Sequence, residues 1–489
     1  MSNDIRTLSP KELWNNFADL NAVPRASKKE EQVIQFMLDF GKKLGLPTFK
    51  DEVGNVIIKK PATPGLENKA SVVLQSHLDM VHQKNTDTDF NFATQGINMF
   101  VEGDWVKAKG TTLGADNGIG VASIMTILAS GNIPHPPIEA LFTIDEETGM
   151  TGALGLKGDL LDARILLNLD TEDDHELTIG CAGGIDVSAS GNYEPETAPA
   201  EVKSLRISIK GLTGGHSGMD IYKGRGNSNK LMNRVLINAA DQFGLLIHTV
   251  DGGGLRNAIP RESFAEVVVP AKNEAAFKTF LNEQEMILKN EYKSTDPNLT
   301  ISLESVSAIS TVLAAAFQYK LLRSVHACPN GIYRMSPDIP GLVQSSNNVA
   351  RILVKDGSYS ILCLTRSAVD SEKMDLANAI KSTFELTGGT VTFGGSYPGW
   401  TPEPAAPIVK LMTDLYKDRY HENPDVNACH AGLECGIIGT NYPGMEMISF
   451  GPNILGAHSP DEKVQVSSVQ KYWEYLLETL KSIPEKNKQ

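Results

Sequence analysis

The chain has 489 residues, and 59 Asp+Glu against 45 Lys+Arg give a formal net charge of −14. That balance excludes a broad nucleic-acid or anionic-membrane footprint, since both need basic surface. Hydrophobic residues at 41% with charged residues at 21% exclude a disordered chain and leave room for several cores, about three units at ~150 residues each.

Residues 1–20 are polar and lack the apolar core of a signal peptide. No apolar run is long enough to cross a membrane as a helix. Within Ser9-Pro10-Lys11-Glu12, Ser9 is expected to cap a helix, Pro10 to take its first position and Glu12 to complete a capping box. Apolar spacing predicts a helix over 30–44. Short apolar runs predict buried strands over 70–75, 139–144 and 164–169, with a helix over 118–130 ended by Gly131-Asn132. The pattern is α/β, a mainly parallel sheet sandwiched by helices.

Composition shifts after Gly183-Gly184, and the Ser-, Glu-, Pro- and Ala-rich residues 187–199 read as a crossing linker. Beyond it a strand (204–209), helix (228–243), strand (263–270) and helix (273–292) are expected. A similar order then recurs: strand 299–303, helix 309–325, a hairpin of 350–356 with 358–365, and helix 371–386. This predicts an inserted α+β domain of two related halves. Gly394-Gly395 and the Pro-rich residues 397–407 form the return crossing, after which helix 408–420, strand 445–450 and helix 467–481 resume the α/β style. The expected division is a discontinuous catalytic domain, 1–186 with 400–489, and an inserted domain, 187–399. The five cysteines, Cys181, Cys328, Cys363, Cys429 and Cys435, form no C-x-x-C pair and no dense framework. Reduced thiols in a cytoplasmic protein are expected.

Chemistry-bearing residues follow the apolar strands. Residues 72–76 lead into His77-Leu78-Asp79, 140–144 into Asp145-Glu146-Glu147, 165–169 into Asp170, and 447–450 into a loop holding His458. Asp116 lies in Gly114-Ala115-Asp116-Asn117-Gly118, just before a helix. An open α/β sheet binds ligands beyond the carboxyl ends of its strands, so these groups should converge on one edge. Histidines mixed with carboxylates suit Zn²⁺ or a similar divalent ion. Five such ligands exceed one open catalytic site and suit two ions, about 3.5–4 Å apart, sharing a carboxylate. Each motif alone is ambiguous, and only their conjunction points to metal. The acidic run 170–176 fails as a calcium loop because His175 stands where that loop needs glycine. P-loop, G-x-S-x-G and H-E-x-x-H motifs are absent. The histidines at 82, 135, 175, 248, 326 and 421 read as structural.

The set Ser76-His77-Leu78-Asp79-Met80, Gly114-Ala115-Asp116-Asn117-Gly118, Asp145-Glu146-Glu147-Thr148-Gly149, Asn168-Leu169-Asp170 and Gly456-Ala457-His458-Ser459 resembles the dinuclear zinc aminoacylase/carboxypeptidase superfamily. Within it the likeness is to the aminoacyl-histidine dipeptidases, and it extends over nearly the whole chain, including the Gly399-Trp400-Thr401-Pro402-Glu403-Pro404 return. The resemblance implies a zinc-exopeptidase type catalytic domain carrying an inserted lid. It implies that His77 and Asp170 bind one metal, Glu147 and His458 the other, and that Asp116 bridges them, often through a cis Asp116–Asn117 peptide. Asp79 would orient His77, and Glu146 would act as general base for attack by metal-activated hydroxide. His216, within Gly214-Gly215-His216-Ser217-Gly218, would stabilise the oxyanion in its own or a partner's site. Asn257, within Arg256-Asn257-Ala258-Ile259-Pro260, would lie near substrate. Arg366 would clamp the substrate carboxylate, and Glu434 would hold its ammonium.

The implied cofactors are two Zn²⁺ ions, with Co²⁺ and Mn²⁺ tolerated by the same N/O set. The implied reaction is hydrolysis of unblocked dipeptides, Xaa-His including β-Ala-His. The alternatives are an N-acyl amino acid deacylase or a tripeptidase on the same scaffold. A non-catalytic binding protein is the third reading, and the intact set of ligands and base counts against it. A small peptide is the expected partner, with no nucleic acid and no membrane. A homodimer through the lid is implied, unless the second half of the insert stands in for a missing partner.

Overall fold

The strands Val72–His77, Ile138–Thr143 and Ile165–Asn168 are buried at every residue, as strands covered on both faces must be. In the computed structural model, which describes residues 4–486, they lie side by side. With Glu446–Ser449 they form four adjacent parallel strands. These are the centre of an eight-stranded sheet, flanked by Thr48–Lys50 and Val56–Lys60 on one side and by Glu176–Cys181 and Asp425–Cys429 on the other. The parallel character belongs to that centre. Thr48–Lys50 and Val56–Lys60 pair antiparallel with each other, and Val56–Lys60 and Glu176–Cys181 pair antiparallel with the central strands. A connection of five residues, as between Thr48–Lys50 and Val56–Lys60, allows only a hairpin. The central strands need crossovers, and the helix Ala115–Ala129 supplies one.

This sheet belongs to the first of two compact units: residues up to Gly180, Trp400–Ala428, and those from Leu433 onward. The second unit comprises Cys181–Gly399 and Cys429–Gly432. Among the described residues no helix is long and apolar enough to cross a membrane.

The first helix corrects one expectation. It spans Lys11–Asn21 with Pro10 at the cap and no side-chain cap bond. Pro10 itself gives its carbonyl to the Trp14 N–H, which defines the cap position. Ser9 stands one residue outside, where its carbonyl accepts from Trp14 Nε1 at 3.3 Å.

A second correction falls on residues 187–199. They are not a linker: Gly183–Asn192 and Pro195–Thr197 are strands. Ile185, Val187 and Ala189 are buried, while Asp186, Ser188 and Ser190 turn outward. That is the two-residue period of a strand with one face on a core. The expected helix over 309–325 starts later, at Ala315, because Thr311–Leu313 pairs with Pro195–Thr197.

The extra strand completes the two halves of the second unit. One half runs Val202–Lys210, helix Ser228–Phe243, Leu246–Gly253, Ser263–Pro270, helix Glu274–Glu291, Thr300–Ser305. The other takes Gly183–Asn192 as its first strand. It resumes at helix Ala315–Ala327 and continues through Val343–Lys355, Ser358–Ser367, helix Asp370–Glu385 and Thr390–Tyr397. Numbering the four strands of each half in chain order, both read 4-1-3-2 across the sheet, the split βαβ arrangement. Their second strands pair antiparallel, Val250 opposite Val354, so one continuous sheet results. The first half is therefore inserted after the first strand of the second. Leu205, Ile207, Val235, Phe277, Val349, Ile361 and Phe384 contribute to one hydrophobic core beneath that sheet.

Val187→Asp tests the reassigned strand. Val187 is 1% exposed, so an unpaired carboxylate there should lower unfolding free energy by roughly 4 kcal/mol. Denaturant unfolding within 0.5 kcal/mol of wild type, about what a surface site shows, would return the segment to a linker.

Candidate metal centre

His77 is the last residue of its strand and is 1% exposed. Its Nδ1 faces the Asp79 carbonyl at 3.1 Å and the Asp79 carboxylate at 3.3 Å. Both neighbours are acceptors, so Nδ1 carries a hydrogen and Nε2 is the ring atom turned toward the other carboxylates. Nε2 points at Asp116 Oδ1 (3.1 Å) and Asp170 Oδ1 (3.6 Å). Asp116's other oxygen, Oδ2, lies 3.3 Å from His458 Nε2, which is 3.0 Å from Glu147 Oε2.

Two triads therefore share Asp116: His77–Asp116–Asp170 and Asp116–Glu147–His458. Within each, one ligand atom per residue falls inside 4.8 Å of the others, and His77, Glu146 and Glu147 form a third such group. The structure thus brings together all five residues expected to ligate, with Glu146 beside them.

Local backbone geometry makes this possible. Gly114 is left-handed at φ 71°, and Asp116 and Asn117 depart from helical angles at the start of Ala115–Ala129. The Asp116–Asn117 peptide is cis. Asn117 Nδ2 donates to the Leu169 carbonyl at 2.6 Å and to the Asp170 carboxylate. Asp79 accepts from the backbone N–H of Glu146 (3.0 Å) and of Glu147 (3.3 Å). One buried carboxylate thereby orients His77 and fixes the turn that presents both glutamates. Asp145 and His458 are left-handed at φ 52° and 64°, a conformation rare outside glycine that Asp and His adopt more readily than most residues.

The electrostatics are those of crowded acids. Burial, with the charges of Asp170, Glu434 and Glu147 added, raises Glu146 well above the usual carboxylate range against the opposing pull of His77. Asp170 is raised by burial and by Asp116, Glu434 and Glu147. Burial would also raise Asp116 and Asp79, but histidine contacts outweigh it and hold both low. Hydrogen bonds that His458 donates to Asp116 and Glu147 push its pKa up to about 11. Burial would lower His77, yet Asp170, Asp116 and Asp79 raise it. Glu147 Oε1 is buried without a partner. Imidazole and carboxylate donors with an unsatisfied oxygen among them fit divalent cations, which would replace the protons now shared between these groups.

Glu434 heads the helix Glu434–Asn441. Its Oε2 accepts from Gln75 Nε2 at 2.7 Å and Thr143 Oγ1 at 2.6 Å, and Oε1 is buried and unpartnered. Burial raises its pKa to about 7.

The second unit carries its own cluster. His216 sits on a two-residue strand paired with Ala258–Ile259. Its Nδ1 accepts from the N–H groups of Gly218 (3.2 Å) and Met219 (3.0 Å), so the ring hydrogen is on Nε2. Burial and the Arg366 charge lower its pKa to about 4. Asn257 is exposed in the adjoining turn, and its carbonyl takes the Ser217 N–H at 2.7 Å. Arg366 is 4% exposed. Its Nη1 donates to the Tyr397 hydroxyl at 2.8 Å, its Nε is unpartnered, and among the described residues no carboxylate pairs with it.

A Cβ at Gly218 would lie 3.1 Å from His216 Cε1 and 3.2 Å from Arg366 Nε, and would strike the His430 carbonyl. Glycine is required for this close approach. His430, which sequence reasoning passed over, is buried with Nε2 on Ser346 Oγ at 2.7 Å. Burial, Arg366 and His216 lower its pKa to about 3. No residue-type pattern flags it, because it sits on a short excursion back into the second unit.

The model of peptidase family M20/M25/M40 matches residues 73–482. The chain is 43% identical over 483 residues, 99% of its own length and 100% of the relative's, to the cytosol non-specific dipeptidase of Escherichia coli K12. Its fold superposes on the crystal structure of aminoacylhistidine dipeptidase from Vibrio alginolyticus with a TM-score of 0.93 and 45% identity, covering 99% and 98% of the two chains. A Staphylococcus aureus tripeptidase at 16% identity, TM-score 0.55 and coverage of 97% and 99% shares the fold.

The His216 assignment predicts a neutral ring with hydrogen on Nε2 throughout the neutral range, protonating only near pH 4. Nitrogen-15 NMR of labelled histidines reads this directly. A His216 titration at the ordinary ~6.5, or hydrogen on Nδ1, would contradict the geometry.

Proposed function

The chain belongs to peptidase family M20/M25/M40, and we propose that it is a dinuclear metal-dependent dipeptidase acting on unblocked dipeptides, with Xaa-His, including β-Ala-His, as the preferred class. The observation that carries this reading is Asp116 presenting one oxygen to each of two histidine-carboxylate triads, with Glu146 alongside. The family relationship and the near full-length likeness to a dipeptidase support the reaction type.

In this assignment His77 and Asp170 would hold one ion and Glu147 and His458 the other, and Asp116 would serve both. Zn²⁺ is the proposed metal, and Co²⁺ and Mn²⁺ suit the same donors. Such ions supply an acidified water near pH ~7 and a polarised scissile carbonyl. Glu146 accepts the proton of the attacking water and returns it to the leaving amine. Its raised pKa suits both transfers. Asp79 keeps the His77 hydrogen on Nδ1, which leaves Nε2 free to ligate.

His216 Nε2–H is a neutral donor for the carbonyl oxygen as it gains charge. Arg366, buried and without a carboxylate in ion-pair distance among the described residues, is assigned the dipeptide's carboxylate, which its planar fork suits. Glu434 Oε1 is assigned the free ammonium, whose charge would keep that carboxyl ionised at neutral pH. Asn257 is assigned a place beside the substrate, from its turn against the His216 segment.

A cytoplasmic location and a homodimer formed through the second unit complete the proposal. The relative's cytosolic origin supports the first, as does the reduced state of the five cysteines, which form no disulfide. Ile332, Tyr333 and Met335, exposed on the strand Gly331–Met335, support the second.

Glu146→Gln should keep two metal equivalents by elemental analysis while kcat falls by ~10²–10⁴, the span typical of a general base. Loss of metal would reassign Glu146 as a ligand. A panel of β-Ala-His, other dipeptides, their N-acetylated forms and tripeptides separates the reaction classes. The free dipeptides should be cleaved and the blocked ones should not, and preferential cleavage of N-acetyl substrates would identify a deacylase.

A further inference from the structure

We propose that Glu462 is a positioning residue for the bridging aspartate. It acts through main-chain hydrogen bonds that lock the Asp116 turn to the loop bearing His458. This rests on the dinuclear reading above and assigns a role to a residue that touches neither metal nor substrate.

Glu462 is 3% exposed and has no cationic partner within ion-pair distance among the described residues. Its charge is instead met by four consecutive backbone N–H groups. Oε2 accepts from Leu113 at 2.7 Å and Gly114 at 2.9 Å, and Oε1 from Ala115 at 2.7 Å and Asp116 at 3.3 Å. Successive N–H groups converge on one anion where the backbone changes hand between residues, and Gly114 at φ 71° provides that change.

The carbonyl side of the same turn is held as well. Arg25, 2% exposed, donates to the Gly114 carbonyl and to the Leu78 and Asp79 carbonyls at 3.1 Å each. Its remaining hydrogen bonds go to Asn21 Oδ1. Glu462 and Arg25 therefore grip one turn from opposite sides.

The consequence is mechanical. Glu462 lies four residues after His458, and a bond from its N–H to the Ser459 carbonyl at 3.0 Å folds the loop between them. Moving the Glu462 carboxylate moves the Asp116 backbone and the His458 loop together. Arg25 ties the same turn to the segment carrying His77 and Asp79. Both histidines that face Asp116 are thus referenced to the turn that presents it.

A carboxylate is needed here because all four contacts are donors. Glu462→Gln would turn an NH₂ group toward two of them and leave N–H facing N–H. Glu462→Asp keeps the charge and acceptors but withdraws them by one carbon.

The test titrates metal-depleted full-length wild type, Glu462→Gln and Glu462→Asp with Zn²⁺ by calorimetry, records visible spectra of the Co²⁺-loaded forms, and measures kcat and KM. Expected for Glu462→Gln is a ~10–100-fold weaker Kd for at least one ion, the usual cost of removing a ligand's supporting contact. Altered Co²⁺ d–d bands and a loss mainly in kcat should accompany it, with Glu462→Asp intermediate. Wild-type affinities and an unchanged Co²⁺ spectrum in Glu462→Gln would overturn the proposal. Failure of both variants to fold would also overturn it, by making Glu462 a residue of general stability. Wild type saturating with fewer than two ions would instead remove the dinuclear reading on which it rests.

Discussion

The first unit is organised around a repulsion. Asp79, Asp116, Glu146, Glu147, Asp170 and Glu434 are brought together, and burial works against ionisation of Glu146, Asp170 and Glu434. Two unit charges ~4 Å apart repel by about 4 kcal/mol at an effective dielectric of 20. Such a cluster persists only if rigid elements hold each member and cationic partners answer the charge. His77 and His458 answer it partly, each drawing up a proton it would otherwise release. Divalent ions at the same atoms would answer it more fully.

Rigidity comes from two sources. The parallel strands end together, so His77, Asp170 and the Glu146–Glu147 turn leave the sheet along one edge. Backbone N–H and C=O groups then fix the turns that the strands cannot reach. Asp79 takes the N–H groups of both glutamates, Glu462 takes those of the Asp116 turn, and Arg25 takes carbonyls from the Asp79 and Gly114 segments. Polar side chains are spent on the main chain because dihedral freedom there would be amplified at the ligand atoms.

That division sets what could be read from residue order. The central strands and the residues following them were legible because long buried runs have little other use, and because His, Asp and Glu after such runs are informative together. Gly183–Asn192 was hidden by its composition, since Ser and Gly alternating with Ile, Val and Ala imitate a linker. With that strand misread, the halves of the second unit were recognised but cut at the wrong place. Ser9 was misplaced by a single position. Arg25, His430 and Glu462 left no trace, because their partners are backbone groups or neighbours brought close only by folding. A carboxylate bonded to four main-chain N–H groups from 346 or more residues away has no spacing to detect.

The second unit inverts the electrostatic problem. Arg366 is buried with no carboxylate within ion-pair distance among the described residues, and its field acts on two histidines. A protonated His216 beside it would add like charge in a poorly solvated place, so the ring is driven neutral. The Gly218 and Met219 N–H groups then decide which nitrogen keeps the hydrogen. Under the proposed assignment one guanidinium does two things: it attracts the substrate's carboxylate, and it adds to the burial that keeps the oxyanion donor neutral. A neutral donor stabilises a developing negative charge without surrendering its proton to the intermediate, which leaves proton delivery to Glu146. Acid-rich and cation-rich clusters in one chain are what hydrolysis of a zwitterion asks for, since its two ends carry opposite charges.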